Sequence, residues 1–311
     1  MTEHILDISE RDGRLRVRHE QLIMESDDEV ALSLPLEEIA AVVVSNRRVT
    51  YSQPVLAGIA GHGGMLVVCD EKHLPVAMLM PLNTHFVQSE RLRMQANVNK
   101  PTCKRLWQQL VRAKLRAQGA LLKRLHGEDH GLVAMAKRVR SGDPENLEGR
   151  AAQRYWPALF GDPQFRRARG AEDLNRHLNY GYAVLRALVA RAICGVGLQP
   201  GLGIHHHNRY DAFCLADDIM EPFRTLVDSA VINICGERGE EAPLDREAKA
   251  SLLSPMQGRL LLNGERRTLF DVLARCASSL VKVFEGRRKR LALPKPEELA
   301  GNPVAEPPDS G

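Results

Sequence analysis

Long hydrophobic runs and aromatic residues are both scarce in this sequence of 311 residues. Phe, Trp and Tyr together make up 5% of it, and charged residues such as Arg186 and Arg191 interrupt its most apolar stretch before that stretch is long enough to cross a bilayer. No Lys or Arg precedes an apolar segment near the start, as it would in a signal peptide. These absences predict a soluble, cytoplasmic protein without membrane contact.

Cysteine lacks the spacing of a disulfide framework or a structural zinc site. None of the six cysteines belongs to a C-x-x-C pair. They are Cys69, Cys103, Cys194, Cys214, Cys235 and Cys276. Scattered cysteines of this kind are typical of reduced thiols in the cytoplasm.

The net charge of +4 is small, but it is unevenly distributed along the chain. Counting Lys, Arg, Asp and Glu gives −7 for residues 1–90, +12 for residues 91–190 and −1 for residues 191–311. A segregated basic segment attracts polyanions, whereas scattered charge mainly provides solubility. A solvated helix face rich in Lys and Arg is the alternative explanation.

The hydrophobic pattern changes its period at about residue 89. Before this point, short β-branched or alternating segments predict strands, with one helix at 53–61; beyond it, apolar residues recur at helical spacing. The last twenty residues contain five prolines and little hydrophobic material. The sequence therefore predicts an α+β protein, with a small N-terminal β-sheet or sandwich domain at 1–84, a larger all-α domain at 85–290 and a disordered Pro-rich tail at 291–311.

The basic segment is predicted to begin with a long amphipathic helix after Pro101. Its apolar face carries Trp107 and a series of leucines, with Gln118 as a polar residue among them. Further helices are predicted at 132–140, 145–158, 172–194, 218–235, 244–253 and 268–286.

Three places in the helical region concentrate carboxylates and imidazoles. Glu148 has mostly apolar or small neighbours, although an exposed glutamate in the first turn of a helix would need no further explanation. Three consecutive histidines at 205–207 cannot all face one site, because adjacent side chains diverge. Asp218 and Glu221 share one helical face and could present two oxygens to a divalent cation. They also match a helix capping box, the simpler interpretation of this pair alone.

Two carboxylates and one imidazole together form a ligand set suited to Mg²⁺ or Mn²⁺ rather than to structural zinc. Set beside a basic segment of +12, these residues indicate metal-assisted phosphoryl chemistry on a nucleic acid. A non-catalytic DNA-binding scaffold and a purely hydrolytic metallonuclease are the alternatives.

At these residues the sequence resembles the CRISPR-associated endonuclease and integrase family that acquires new spacers, the first-numbered of the Cas proteins. The similar stretches occur in the family's order through nearly the whole chain. They are residues 21–23 with 34–44, residues 64–70 with 75–77, Glu-Gly-Arg-Ala-Ala at 148–152 with Tyr-Trp at 155–156, Gly-Ile-His-His at 203–206 and Asp-Ile-Met-Glu-Pro-Phe-Arg at 218–224. The stretch at 106–111 and the chain length look most like the subtype that accompanies the single-protein RNA-guided nuclease.

The resemblance implies that Glu148, His206 and Glu221 are metal ligands and catalytic residues, with Asp218 an acidic neighbour in or beside the site. The family places its histidine three positions after the glycine and fifteen before the motif glutamate, which selects His206. His205 stays open as the alternative, because the triple histidine departs from the family's single one.

The resemblance also implies the partners and the reaction. It implies a homodimer that assembles with the small second Cas protein into a heterohexamer, and a helical catalytic domain that inserts short duplex DNA into the CRISPR repeat array, as antiviral defence, by attack of a 3′-hydroxyl. The basic segment would then contact DNA phosphates, with about half of its charges merely solvated. The candidates are Arg112, Lys114, Arg116, Arg138, Arg140, Arg166 and Arg167.

Overall fold

The fold is described from a computed structural model. The structure describes residues 3–26, 29–71, 75–81, 85–168, 173–262 and 264–300. Within these residues, strands come first and helices dominate the rest, which confirms the predicted α+β class. No helix in the described part of the chain is both long and apolar enough to cross a membrane.

Two four-stranded sheets form the N-terminal part. Their strands are β1 (His4–Ile8), β2 (Arg14–Arg18), β3 (Gln21–Ser26), β4 (Glu29–Pro35), β5 (Ile39–Val44), β6 (Thr50–Tyr51), β7 (Met65–Cys69) and β8 (Pro75–Leu79), with helix α1 (Gln53–Gly61) between β6 and β7. One sheet has the order β1-β5-β7-β8, in which only β7 and β8 pair antiparallel; the other has the order β4-β3-β2-β6. Strand β6 has two residues, too few to give an alternating pattern in the sequence.

Strand β5 is buried along its whole length because it separates two cores. Val42 and Val44 face the core shared with the second sheet and α1, while Ala41 and Val43 face the helical region. Successive side chains of a strand point to opposite faces, so a continuous apolar run is what a strand covered on both faces requires. The N-terminal sheet therefore supports the helices directly.

The remaining chain is mainly helical, with one hairpin. Its elements are α2 (Gln88–Ala96), α3 (Lys100–His126), α4 (Leu132–Arg138), α5 (Leu147–Phe160), α6 (Asn175–Gly195), α7 (Cys214–Met220), α8 (Arg224–Arg238), α9 (Arg246–Gln257), β9 (Arg259–Leu262), β10 (Glu265–Thr268), α10 (Leu269–Phe284) and α11 (Pro296–Ala300). Helix α3 packs against α4, α5, α8 and α11. Asn99 caps its start by accepting from the Thr102 N–H at 2.9 Å, and Gly127 ends it at a φ of +86°.

The structure corrects the expectations for two segments. The region predicted to be all-α contains the β9–β10 hairpin, whose turn includes Gly264 at a φ of +85°, a conformation that glycine adopts without steric cost. The predicted disordered tail begins too early, because α11 lies within it and Leu291 and Leu299 are buried. Residues 82–84, at the predicted domain boundary, and residues 301–311 of the predicted tail lie outside the described residues.

Candidate active site

Glu148 lies at the start of α5, and neighbouring side chains fix that start. The two carboxylate oxygens of Asp143 accept from the N–H groups of Leu147 at 3.0 Å and Glu148 at 2.9 Å, and the Asn146 side chain accepts from the Gly149 N–H at 3.2 Å. These bonds satisfy N–H groups that the first turn of a helix leaves free. The Glu148 side chain is 26% exposed and points toward α3, so it is not the freely solvated glutamate of the alternative interpretation.

Glu221 lies where the predicted helix at 218–235 is interrupted. A single 3-10 turn, Glu221–Phe223, separates α7 from α8, because Pro222 has no N–H for an α-helical hydrogen bond and the turn tightens there. The Glu221 side chain is 4% exposed, and its Oε1 lies 2.9 Å from Arg224 Nη2. The capping-box interpretation is wrong, since Asp218 lies inside α7 instead of preceding it.

Lys114 of α3 brings the two glutamates together. Its Nζ lies 2.5 Å from Glu148 Oε1 and 2.5 Å from Glu221 Oε2. Burial opposes the charge of Glu221, but Arg224 and Lys114 outweigh it and lower the pKa of Glu221 to about 2. Burial also opposes the charge of Lys114, and the two glutamates outweigh it and raise the pKa of Lys114. Lys114 and Glu221 are therefore both charged at neutral pH.

The prediction that Lys114 contacts DNA phosphates is corrected by this placement. Lys114 is 7% exposed and lies on the apolar face of α3, between Leu110 and Gln118 at spacings of four residues. A lysine on the buried face of an amphipathic helix needs a carboxylate partner. The four-residue spacing is the signal in the sequence that could have identified Lys114 as a buried lysine with a carboxylate partner.

Asp218 organises the histidine loop. Its side chain is fully buried, and its oxygens accept from the N–H groups of Ile204 at 2.6 Å, His205 at 2.9 Å and His206 at 3.2 Å. Gly203 makes this loop possible, because a Cβ there would lie 2.3 Å from the His206 carbonyl oxygen and 3.1 Å from Asp218 Oδ2. Asp218 therefore acts on the loop that carries the histidines.

The two candidate histidines have different surroundings. His206 Nδ1 lies 2.7 Å from Asp218 Oδ1, and this hydrogen bond raises the pKa of His206. His205 stacks on Trp107 with ring centroids 4.0 Å apart and an interplanar angle of 2°, and burial lowers its pKa. When a carboxylate binds Nδ1–H, the other imidazole nitrogen is left to serve as a metal ligand. This geometry favours His206, as the sequence does.

The donor types suit Mg²⁺ or Mn²⁺, since two carboxylates meet at one point and an imidazole lies on the neighbouring loop. Glu221 Oε2 is buried without a hydrogen bond, although it is in ion-pair contact with Lys114. Among the described residues no three His, Cys, Asp or Glu side chains are grouped closely enough to hold a metal as they stand. The Lys114 ammonium lies between the two carboxylates, where their charges require a cation.

A buried network behind Glu221 has no counterpart in the sequence prediction. Asp228 is fully buried, with Tyr155 donating to its Oδ2 at 2.6 Å and Tyr182 donating to its Oδ1. Burial raises the pKa of Asp228 to about 6, although both hydroxyl groups oppose the shift. The Arg224 guanidinium lies 4.6 Å from the centre of the Tyr182 ring, so the network also positions the cation that contacts Glu221.

A family model described as CRISPR associated protein Cas1 matches residues 6–263, which include every residue of this site. The chain belongs to the Cas1 family. It is 34% identical over 287 residues to the CRISPR-associated endonuclease Cas1 of Neisseria meningitidis serogroup C (strain 8013), covering 91% of this chain and 93% of that relative. Membership makes this chain a CRISPR-associated nuclease, as the motifs predict.

Two solved structures resemble this Cas1 chain in fold. A casposase bound to an integration product aligns with a TM-score of 0.77 at 19% identity, covering 96% of this chain and 94% of the other. A Cas6-RT-Cas1–Cas2 complex aligns with a TM-score of 0.75 at 18% identity, covering 95% of this chain and 36% of the other.

The predicted DNA-contact residues of this Cas1 chain differ in exposure. Arg116, Arg138, Arg140 and Arg166 are exposed, although Arg138 and Arg140 both approach Glu145. Arg112 instead donates from Nε and Nη2 to the Val139 carbonyl oxygen, at the end of α4. Arg167 donates to Asn175 at 2.9 Å and Asn179 at 2.6 Å. Arg166 also donates from Nη1 to the carbonyl oxygens of Pro163 at 2.9 Å and Phe165 at 2.8 Å, so internal hydrogen bonds hold three of the predicted arginine contacts.

Proposed function

We propose that this Cas1 chain is the integrase of CRISPR adaptation, which inserts short duplex DNA into the repeat array. A 3′-hydroxyl of the duplex attacks a phosphodiester at a repeat boundary, a new 3′-oxygen to phosphorus bond forms, and the bond to the 3′-oxygen of the repeat strand breaks. That oxygen takes up a proton as the attacking hydroxyl loses one. Because one phosphodiester replaces another, the reaction needs neither water nor a nucleotide cofactor.

The observation that carries this proposal is that Glu148 and Glu221 meet at Lys114, with His206 near enough for the charge of Glu221 to help raise its pKa. The three residues come from α5, the 3-10 turn and the histidine loop. Glu148 and Glu221 share one cation, Lys114 Nζ, which lies 2.5 Å from an oxygen of each. Mg²⁺ or Mn²⁺ held by these three residues would polarise the scissile phosphate and lower the pKa of the attacking hydroxyl.

The surrounding residues position these three. Asp218 holds the His206 ring through Nδ1 at 2.7 Å. Arg224 fixes Glu221 at 2.9 Å and is itself held against the Tyr182 ring. A buried carboxylate with two cations stays ionised, and it is as an anion that Glu221 serves as a ligand.

The substrate and partners follow from charge, exposed surface and family. The exposed residues Arg116, Arg138, Arg140 and Arg166 are the proposed contacts with the phosphates of duplex DNA. The chain would act as a homodimer with the small second Cas protein, in a heterohexamer. Edge strands β4 and β8 expose Val30 and Val76, which are 63% and 64% exposed and could contribute to such contacts. The subtype that accompanies the single-protein nuclease stays a prediction.

The test uses the purified chain with the small second Cas protein, a supercoiled plasmid that carries a repeat, and a labelled short duplex. We expect label to join the plasmid with Mn²⁺ or Mg²⁺ and not with a chelator. Glu148→Gln and Glu221→Gln should each lower joining by roughly 10²-fold or more while duplex binding remains.

Glu145→Gln is the matched control, because this exposed carboxylate lies just before α5 and approaches Arg140 at 2.9 Å. Thermal melting of every variant separates lost chemistry from lost folding. Shortened DNA without joined product would instead support a hydrolytic nuclease. Joining that continues in chelator, or in both site variants, would contradict the proposed site.

A further inference from the structure

The two glutamates of the proposed metal site are already bridged by a cation that belongs to the chain. Lys114 Nζ lies 2.5 Å from an oxygen of each glutamate. The Lys114 side chain is 9% exposed, that of Glu148 is 26% exposed and that of Glu221 is 4% exposed. Two carboxylates that both lie within hydrogen-bond distance of the same point repel each other unless a positive charge occupies that point.

Arg224 cannot replace Lys114 in this position. Its Nη2 reaches Glu221 Oε1, the other oxygen of that carboxylate, and its guanidinium is held against the Tyr182 ring. Lysine differs from arginine in shape and flexibility, because its ammonium is a compact charge on a flexible four-carbon stem. Of the two cations, Lys114 is the one that contacts both carboxylates, and its stem would allow it to withdraw.

We propose that Lys114 is a built-in counter-cation that competes with the divalent metal for Glu148 and Glu221. Mg²⁺ binds carboxylate oxygens at about 2.0–2.1 Å, so an ammonium between the same two oxygens cannot stay when a metal enters. Lys114 thus keeps the glutamates together in the metal-free protein and lowers their affinity for metal. This inference rests on the proposed metal site.

The experiment measures Mn²⁺ binding by calorimetry and thermal melting in chelator and in Mn²⁺. It compares the wild type with Lys114→Met, which keeps the apolar stem and removes the charge. Lys123→Met is the control, since Lys123 lies on the exposed face of the same helix. We expect Lys114→Met to bind Mn²⁺ roughly tenfold to a hundredfold more tightly than the wild type, with Lys123→Met unchanged.

The melting temperatures give a second readout. Lys114→Met should melt at a lower temperature than the wild type in chelator, and Mn²⁺ should raise its melting temperature more than it raises that of the wild type. A purely structural lysine predicts lower stability without tighter metal binding. Mn²⁺ affinity in Lys114→Met equal to or weaker than in the wild type would therefore overturn the proposal.

One further variant tests the metal site itself, and a second covers the case in which Lys114→Met does not fold. Glu148→Gln should lose Mn²⁺ binding; if it binds Mn²⁺ as well as the wild type does, the metal site itself is wrong and the competition falls with it. If Lys114→Met does not fold in chelator, the double variant Lys114→Met/Glu148→Gln should fold, because it removes both the ammonium and one carboxylate. Failure of the double variant to fold would also overturn the proposal.

Discussion

Replacing Asp218 with Asn tests how the histidine loop is held. The Asp218 side chain accepts from three backbone N–H groups and lies 2.7 Å from the Nδ1 of His206. An asparagine of nearly the same size keeps one acceptor oxygen, but its NH₂ group must face two of these donors. The variant therefore tests charge and hydrogen bonding without leaving a cavity.

The expected loss is large because the Asp218 side chain is fully buried. Leaving two donors without an acceptor there costs about 1–3 kcal/mol each, so Asp218→Asn should lower the free energy of unfolding by roughly 2–6 kcal/mol. The assay is urea unfolding at pH 7 followed by tryptophan fluorescence, which reports on the loop because Trp107 stacks on His205. Joining of labelled duplex to plasmid should fall in parallel.

The neighbouring Asp217→Asn is the control. The Asp217 side chain is 13% exposed, Arg186 approaches it only to 3.9 Å, and burial raises its pKa to about 6. Its charge is therefore unfavourable in the folded protein at pH 7, so Asp217→Asn should leave the free energy of unfolding unchanged or raise it. If the two variants unfold within about 0.5 kcal/mol of each other, Asp218 does not hold the loop as argued.

Three further predictions concern single buried positions. Gly203→Ala should abolish joining without unfolding the protein, since its Cβ would displace the His206 carbonyl; wild-type activity would contradict the tight loop. Asp228 has a folded pKa of about 6, above its ordinary 3.8, so its stabilising contribution is present below the ordinary value and is lost as pH rises through the folded one. Asp228 alone should lower the free energy of unfolding by about 3 kcal/mol across that window, and Asp228→Asn should remove this part of the pH dependence in a pH series of urea unfolding. Gly181→Ala should cost about 1–3 kcal/mol, because its Cβ would lie 2.5 Å from a valine methyl of α8, whereas Gly236→Ala, with no described atom within 4 Å, should be neutral or stabilising in the same assay.

Local features of the fold were predictable from the sequence. Alternating apolar residues predict strands such as β2 and β3, and helical spacing predicts α3, α5 and α10, because one buried face is enough to produce these patterns. Strand β6 and the β9–β10 hairpin are short and partly exposed, so their patterns are weak. The predicted tail begins too early because its few apolar residues include Leu291 and the α11 residue Leu299, both of which the fold buries.

The candidate site, too, was only partly predictable from the sequence. From the sequence, the resemblance to the Cas1 family determined Glu148, His206 and Glu221 as candidates, and the family match spans all three. Only the tertiary structure decided that Asp218 holds the loop, that Asp228 supports Arg224, and that Lys114 pairs with both glutamates. The physical reason is that helical spacing can assign Lys114 to the apolar face of α3, whereas the carboxylates within reach of its charge depend on how α5 and the 3-10 turn pack against that helix.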